Sequence, residues 1–315
     1  NLAIEEYILK ELDPEETYLL FYSMNPTVIV GKNQNTIEQI DTSYIRENDV
    51  DVIRRLSGGG AVYNDPGNLS FSIITKDDGN SFHNYKKFTD PVVKALSKLG
   101  VDAELSGRND LLVNGKKISG NAQFSTKGRM YSHGTLMFNV NLENVVKALK
   151  VNKEKIESKG IKSIRSRVTN ISEHMDQEMT RDQFKQTLLQ YIFEGEKEIP
   201  SYDLTEKDWK AIHEIAEERY KNWDWNYGRS PKFNVQHSKR FPIGSIDVRL
   251  EVKKGYIEQA TIFGDFFGVG DVKEIENQLM GVRYERGSLE EALQEVDVSH
   301  YFGKITKKEF IDLLY

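Results

Sequence analysis

Three consecutive glycines, Gly58 to Gly60, stand inside the run RRLSGGGAVYNDPGNLSF, Arg54 to Phe71. Glycine loses more conformational freedom on folding than any other residue. A loop built on three of them has a backbone that must come very close to something. With Arg54 and Arg55 beside it, an anion is expected, and phosphate is the usual candidate. The plainer reading is a tight turn joining two strands. Ala61–Tyr63 and Leu69–Ile74 read as extended, with a turn at Asn64–Asn68 between them. The run lacks the Gly-Lys-Ser/Thr of a P-loop, and no helix opens directly after it as in the Rossmann fingerprint. A nucleotide bound here would be held by a strand–loop–strand element. If Asp51–Arg55 is extended, Ile53 and Arg55 share a face opposite Arg54, so only one arginine faces the site.

The chain's 315 residues suffice for one large domain plus a small one. No apolar run reaches membrane-spanning length, and no signal peptide is visible, so no membrane partner and a cytoplasmic location are expected. A net charge of −6 argues against a nucleic-acid binder. The absence of cysteine excludes disulfides, thiolate metal sites and cysteine nucleophiles together.

Leu2, Ile4, Tyr7, Ile8 and Leu12 recur at helical spacing, and Pro14 ends that helix. Strands are expected at Tyr18–Tyr22, Thr27–Gly31 and Asp51–Arg55, with Asp41 capping a short helix to Asn48. A helix over Asn84–Leu99 is closed by Gly100. Asp110–Val113 and Lys116–Thr126 form a hairpin about Asn114-Gly115, and Arg129–Val140 follows the turn Lys127-Gly128. Helices Arg181–Phe193 and Glu206–Trp223 carry threonine caps at Thr180 and Thr205. Gly228, Ser230, Pro231 and Pro242 mark a boundary between Tyr227 and Phe241. Beyond it come a hairpin, Ser245–Val252 with Tyr256–Phe263, and helices at Asp271–Met280, Ser288–Val296 and Thr306–Leu314. The fold class is α+β, a mostly antiparallel sheet with flanking helices and a small α+β C-terminal accessory domain. The domains are placed at 1–230 and 240–315.

Two further stretches carry chemistry. In GRNDLLVNGKKISGNAQ, Gly107 to Gln123, the adjacent lysines Lys116 and Lys117 point to opposite strand faces, Lys117 with Ser119 and Lys116 with Ile118. They are either a solvated hairpin pair or, given Ser119-Gly120-Asn121, one of them faces a ligand. In SHGTLMF, Ser132 to Phe138, His133 and Gly134 either line a pocket or sit satisfied within the sheet. No histidines stand at zinc spacing and no G-x-S-x-G elbow is present. The basic stretch Lys162–Arg167 is either a solvated loop or a flap.

Taken together, NLAIEEYIL, NPTVIVGKNQN, RRLSGGGAVYNDPGNLSFS, GRNDLLVNGKKISGNAQ, HGTLMFNV and KSIRSRVTNI closely resemble the lipoate–protein ligase family, over essentially the whole chain. In that family a strand usually precedes the first helix, so native N-terminal residues are expected to be missing from this numbering. Asn64 departs from the histidine that members often carry there. The resemblance implies a biotin/lipoate ligase-like catalytic domain and a two-step reaction. Lipoate and ATP give lipoyl-AMP and pyrophosphate, and the lipoyl group then passes to a lysine of lipoyl-carrying domains such as 2-oxoacid dehydrogenase subunits or the glycine cleavage H protein. It implies Lys117 as the catalytic cation on the α-phosphate. Arg55, Gly60, Ala61, Val62, Tyr63, Asn109 and Lys117 would bind ATP or the adenylate. Arg55, Ser57, Gly58, Gly59, His133, Gly134 and Lys117 would bind lipoate. Mg²⁺ is expected on the triphosphate, with Asp110 as its carboxylate. The basic loop would order over the adenylate and shield it from water. A monomer is expected.

Three other readings compete. An octanoyl- or lipoyl-transferase of the same fold needs a cysteine nucleophile, which this chain lacks. A biotin ligase would carry a phosphate loop of alternating glycine and arginine. A non-catalytic lipoate or nucleotide sensor would have no need of Lys117.

Overall fold

The computed structural model describes residues 1–150, 166–194, 196, 198–228 and 233–315. Two compact units divide the chain. The first gathers Asn1–Ile29, Gln39–Ile53 and Val62–Asn222, and the second gathers Val30–Glu38, Arg54–Ala61 and Trp223–Tyr315. Two short stretches that precede the expected boundary at 227–241 thus belong with the C-terminal residues, and one of them is the glycine loop.

The first unit is built on strands β1 (Tyr18–Tyr22), β2 (Thr27–Val30), β3 (Asp51–Arg54), β4 (Val62–Asn64), β5 (Asn68–Lys76), β6 (Glu104–Ser106), β7 (Asp110–Val113), β8 (Lys116–Thr126) and β9 (Arg129–Met137). Six of them form a sheet in the order β1-β5-β9-β8-β7-β6, with antiparallel pairing throughout. A smaller sheet runs β3-β2-β4. One face of the large sheet carries Leu69, Phe71, Leu111, Ile118 and Leu136 into a core with helix Tyr85–Ser97 and with Phe184 and Leu188 of helix Arg181–Ile192. Thr180 and Gln183 close a capping box at the start of that last helix, and Thr205 and Asp208 do so for helix Glu206–Ile215. The helix expected to reach Trp223 continues only as a π turn, Ala216–Tyr220, before a separate helix Trp223–Tyr227.

The N-terminal helix Leu2–Glu11 packs its apolar residues with Ile29, Ile212 and Tyr220. Glu5 and Glu6 lie inside that same buried stripe, 2% and 1% exposed. The sequence reading of this helix used only its apolar positions and left them out.

In the second unit, β10 (Val235–Phe241), β11 (Gly244–Lys253) and β12 (Tyr256–Gly264) form an antiparallel meander. Its core faces helices Val272–Leu279, Arg286–Ala292, Val298–Phe302 and Lys307–Leu314. Strand β10 escaped the sequence reading because its polar residues outnumber its apolar ones. Among the described residues no helix is long and apolar enough to cross a membrane.

Candidate active site

The position of Lys117 is set by a β-bulge. Strand β8 pairs Lys117 with Leu112 and Ser119 with Leu111, so Ile118 is the extra residue opposite one step of β7. Regular alternation would put Lys117 with Ser119, as the sequence suggested. The bulge inverts that parity. Ile118 and Ser119 both turn inward, each fully buried, and Ser119 Oγ accepts from Asn121 Nδ2 on the core side. Lys117 instead shares its face with Gly120 and Asp110. A Cβ placed on Gly120 would stand 2.9 Å from Lys117 Nζ, and that Nζ lies 2.9 Å from Asp110 Oδ1. A side chain at Gly120 would crowd the lysine's mobile end from this position. The pair is about one-third exposed, so it positions the lysine and contributes at most about 1 kcal/mol to stability.

His133 is on that same face. It pairs with Ala122 on β8 and with Ser72 on β5, and Ala122 lies two residues along the strand from Gly120. The floor between Lys117 and His133 is thus Gly120 and Ala122, flanked by Ser70, Ser72 and Thr135. Ser72 Oγ is buried and has no hydrogen-bond partner among the described residues. Glu5 comes down from the N-terminal helix, and His133 Nδ1 lies 2.9 and 3.1 Å from its two carboxylate oxygens. His133 is therefore both satisfied and on the candidate face. Gly134 is placed differently. A side chain there would meet Asn121 Oδ1 at 2.1 Å and the Phe71 ring at 2.8 Å. Those are core-side groups, so Gly134 offers the other face only its main chain. Asn109 turns inward as well, its Nδ2 donating to Asn121 O and its carbonyl accepting from Asn121 N. It fixes the turn that leads into Asp110.

The glycine loop lies in the second unit with both arginines. Arg54 is 1% exposed. Its guanidinium donates to the carbonyls of Gly31, Lys32, Gln34, Trp225 and Asn226 and to Thr36 Oγ1. Arg55 braces the loop from within, donating to Ser57 Oγ and to the carbonyls of Gly58 and Gly60. Both arginines are thus buried and hydrogen-bonded to different parts of the second unit. The glycines divide too. A Cβ on Gly58 would stand 2.4 Å from Phe266 O, and one on Gly59, at φ +93°, would stand 2.6 Å from the Phe267 ring. Close approach by the protein itself explains those two. Gly60 has open space beside it and is exposed. Beyond it, Tyr63 of β4 is buried, which raises its phenol above the usual range, and its hydroxyl meets Asn144 Nδ2.

The expected flap lies mostly outside the described residues, at 162–165. Its end is described: Lys117 N donates to Arg167 O, and Thr169 N donates to Lys117 O. That segment therefore pairs with the main chain of the lysine itself. Among the described residues no cluster of three or more His, Cys, Asp or Glu side chains gathers as for a metal. Mg²⁺ needs no such cage, since one or two carboxylates with substrate phosphates suffice. Asp110, with one oxygen on Lys117, is a fitting donor of that kind.

Sequence reasoning missed Glu5, Ser72, the Phe266–Phe267 seat and the parity of Lys117. An acid inside an apolar helical stripe was the signal for Glu5. A bulge has no signature in a single strand's alternation, since it is defined by the partner strand.

Residues 1–193 match the family described as the lipoyl protein ligase A/B catalytic domain, and residues 230–314 match the bacterial lipoate protein ligase C-terminus. The chain is 66% identical over 317 residues to lipoate-protein ligase LplJ of Bacillus subtilis (strain 168), covering 100% of this chain and 96% of that protein. A structure of lipoate–protein ligase A bound with ATP superposes with a TM-score of 0.63 at 28% identity, covering 72% of this chain and 92% of the other. LipL1 of P. falciparum in complex with lipoate gives 0.77 at 24% identity, covering 99% of this chain and 93% of the other, and supports the fold.

Proposed function

The chain belongs to the lipoate–protein ligase family, and from that premise we propose that it makes lipoyl-AMP from lipoate and ATP and passes the lipoyl group to a lysine of lipoyl-carrying domains. The first step brings a carboxylate onto the α-phosphate, so negative charge builds on the phosphoryl oxygens. A fixed cation there is the largest catalytic term available. Lys117 supplies it, held in place by Asp110 and by the open surface of Gly120. The observation that carries this reading is the bulge that turns Lys117 onto the face of His133.

Gly60 to Tyr63 hold the nucleotide through main-chain groups, with Arg55 and Asn109 beside it. Arg55, Ser57, Gly58 and Gly59 shape the approach of the lipoate carboxylate. His133 and the main chain of Gly134 line the wall met by the lipoyl group, which needs a dry, apolar tunnel. Asp110 is the residue that would hold Mg²⁺, whose chemistry there is neutralisation of triphosphate charge. The domain division 1–230 and 240–315, a monomeric state, action in the cytoplasm and the dehydrogenase and glycine cleavage acceptors belong to the same proposal.

Purified protein with ATP, Mg²⁺ and lipoate should release pyrophosphate without any acceptor domain. Release that ignores lipoate, or no release, would overturn the adenylation step.

A further inference from the structure

Lys117 owes its place to a segment far along the chain. Strand β8 pairs with β9 only from Asn121 to Thr126. At Lys117 the edge that β9 leaves free is taken by residues 167–169, running parallel, with Lys117 opposite Val168. Lys117 N donates to Arg167 O at 2.7 Å, and Lys117 O accepts from Thr169 N at 3.0 Å. Both main-chain polar groups of the lysine thus bond to this segment, while β7 meets it from the other side. Where the lysine stands depends on where residues 167–169 are held.

They are held from the Thr169 end. Ile171 is buried in the core under the large sheet. Asn170 clasps Val140, its Oδ1 accepting from Val140 N at 2.9 Å and its Nδ2 donating to Val140 O at 3.0 Å. Thr169 is 1% exposed. Its Oγ1 donates to Glu173 Oε2 at 3.2 Å and lies 2.9 Å from His174 Nε2. A hydroxyl has one hydrogen to give, so with that hydrogen on the carboxylate it accepts from the imidazole N–H. Glu173 and His174 belong to the 3-10 turn Ile171–His174, so the hydroxyl ties the last residue of the segment to the turn that follows it. The adenylation reading uses none of these groups.

We infer that Thr169 is a positioning residue for adenylation: its hydroxyl fixes the segment that holds both main-chain groups of Lys117, and so fixes the ammonium. This rests on the reading above that Lys117 is the catalytic cation. Loss of the hydroxyl leaves Glu173 and His174 without their common partner and frees residue 169 to shift against β8. The bulge sharpens the effect, because a bulged strand is locally short of ladder hydrogen bonds. A charge stabiliser displaced by about 1 Å costs rate even where both substrates still bind.

The test is lipoate-dependent pyrophosphate release by wild type, Thr169→Val, Thr169→Ser, Lys117→Ala and the double variant Lys117→Ala/Thr169→Val. Thr169→Val keeps the shape and the main-chain N–H but lacks the hydroxyl. It should lower kcat about 10-fold or more, with the KM for ATP and for lipoate within about twofold of wild type. Thr169→Ser should recover most of the loss. In the Lys117→Ala background, Thr169→Val should add no more than about twofold, because it acts through the missing ammonium. A wild-type kcat in Thr169→Val, a loss confined to KM, no recovery in Thr169→Ser, or independent losses in the double variant would each overturn the inference. Should Thr169→Val fail to fold, His174→Ala takes the donor from Oγ1 at a half-buried position. Its loss should again fall on kcat, and an unchanged kcat there would overturn the inference. Wild-type protein that releases no pyrophosphate would strike the adenylation reading. The Thr169 inference is then decided by hydrogen exchange at the Lys117 amide, which should run about 10-fold faster or more in Thr169→Val and would overturn it if unchanged.

Discussion

Lys117 Nζ lies 2.9 Å from Asp110 Oδ1, across a glycine whose missing side chain leaves the lysine its place. Lys116, one residue earlier, pairs with the buried Val113 and so points to the opposite face of the strand. The two lysines should therefore separate cleanly in kinetics. Lys117→Ala is expected to cut lipoate-dependent pyrophosphate release by about 100-fold or more, the scale of losing a preorganised charge stabiliser. Lys116→Ala should stay within about twofold on the same assay. Equal effects would sink the register argument.

Gly120→Ala asks the same question without removing the charge. The new methyl would stand 2.9 Å from Nζ and 3.1 Å from Cε, the mobile end of a flexible side chain. The lysine can swing aside cheaply, so the melting temperature should hardly change. The reacting geometry should suffer, with a loss of roughly 10-fold or more in pyrophosphate release, as misplacement by about 1 Å commonly costs. Full activity in the Gly120→Ala enzyme would show that Lys117 does not work from this position.

The triple glycine can be divided by stability. Gly58→Ala would drive a methyl to within 2.4 Å of the Phe266 carbonyl, a main-chain atom that cannot step aside. Overpacking of that kind costs about 1–3 kcal/mol. Gly60→Ala meets nothing within 4 Å, so its fold should be unaffected, and any loss should appear in the KM for ATP. Urea unfolding of both variants, set beside their ATP kinetics, checks the division. A Gly58→Ala protein as stable as wild type would remove Phe266 as the reason for that glycine.

The strand and helix pattern was largely legible in the chain. Periodicity found the N-terminal helix, Asn114-Gly115 found the hairpin, and Thr180 and Thr205 marked two helix starts that the structure bears out. What was not legible depends on partners distant in sequence. The loop glycines suggested a ligand, yet Gly58 and Gly59 answer to Phe266 and Phe267 some 200 residues later. Strand alternation set Arg54 and Arg55 on opposite faces, but only the carbonyls gathered around Arg54 reveal it as an internal tie. The parity of Lys117 failed for the same reason, because β7 decides it.

Arg54 is the group whose loss the second unit should feel most. Its planar fork satisfies carbonyls from 31–34 and from 225–226 at once. Lysine keeps the charge but cannot reproduce the fork. Arg54→Lys should cost about 3 kcal/mol or more, from several buried carbonyls left short of a donor at about 1–3 kcal/mol each. Arg54→Lys unfolding in urea within about 1 kcal/mol of wild type would mean that water replaces the missing donors.

Tyr7 of the N-terminal helix donates to Asp208 of helix Glu206–Ile215, and both groups titrate away from their ordinary values. The Tyr7 hydrogen bond is the main reason the Asp208 carboxyl falls to about 2, and the Asp208 acceptor is the main reason the Tyr7 phenol rises to about 12. For a depressed carboxyl, the stabilisation is present above its unfolded pKa of about 3.9 and is lost as pH falls through the folded value. For a raised phenol, it is present below about 10 and is lost as pH climbs toward the folded value. Tyr7→Phe removes both contributions. The gap in stability between wild type and Tyr7→Phe should therefore be widest from pH about 5 to 9, closing below pH about 4 and again above pH about 10. Urea unfolding midpoints of the two proteins across that range would check it. A gap that stays constant from acid to alkaline pH would mean that Tyr7 contributes packing and no linked proton.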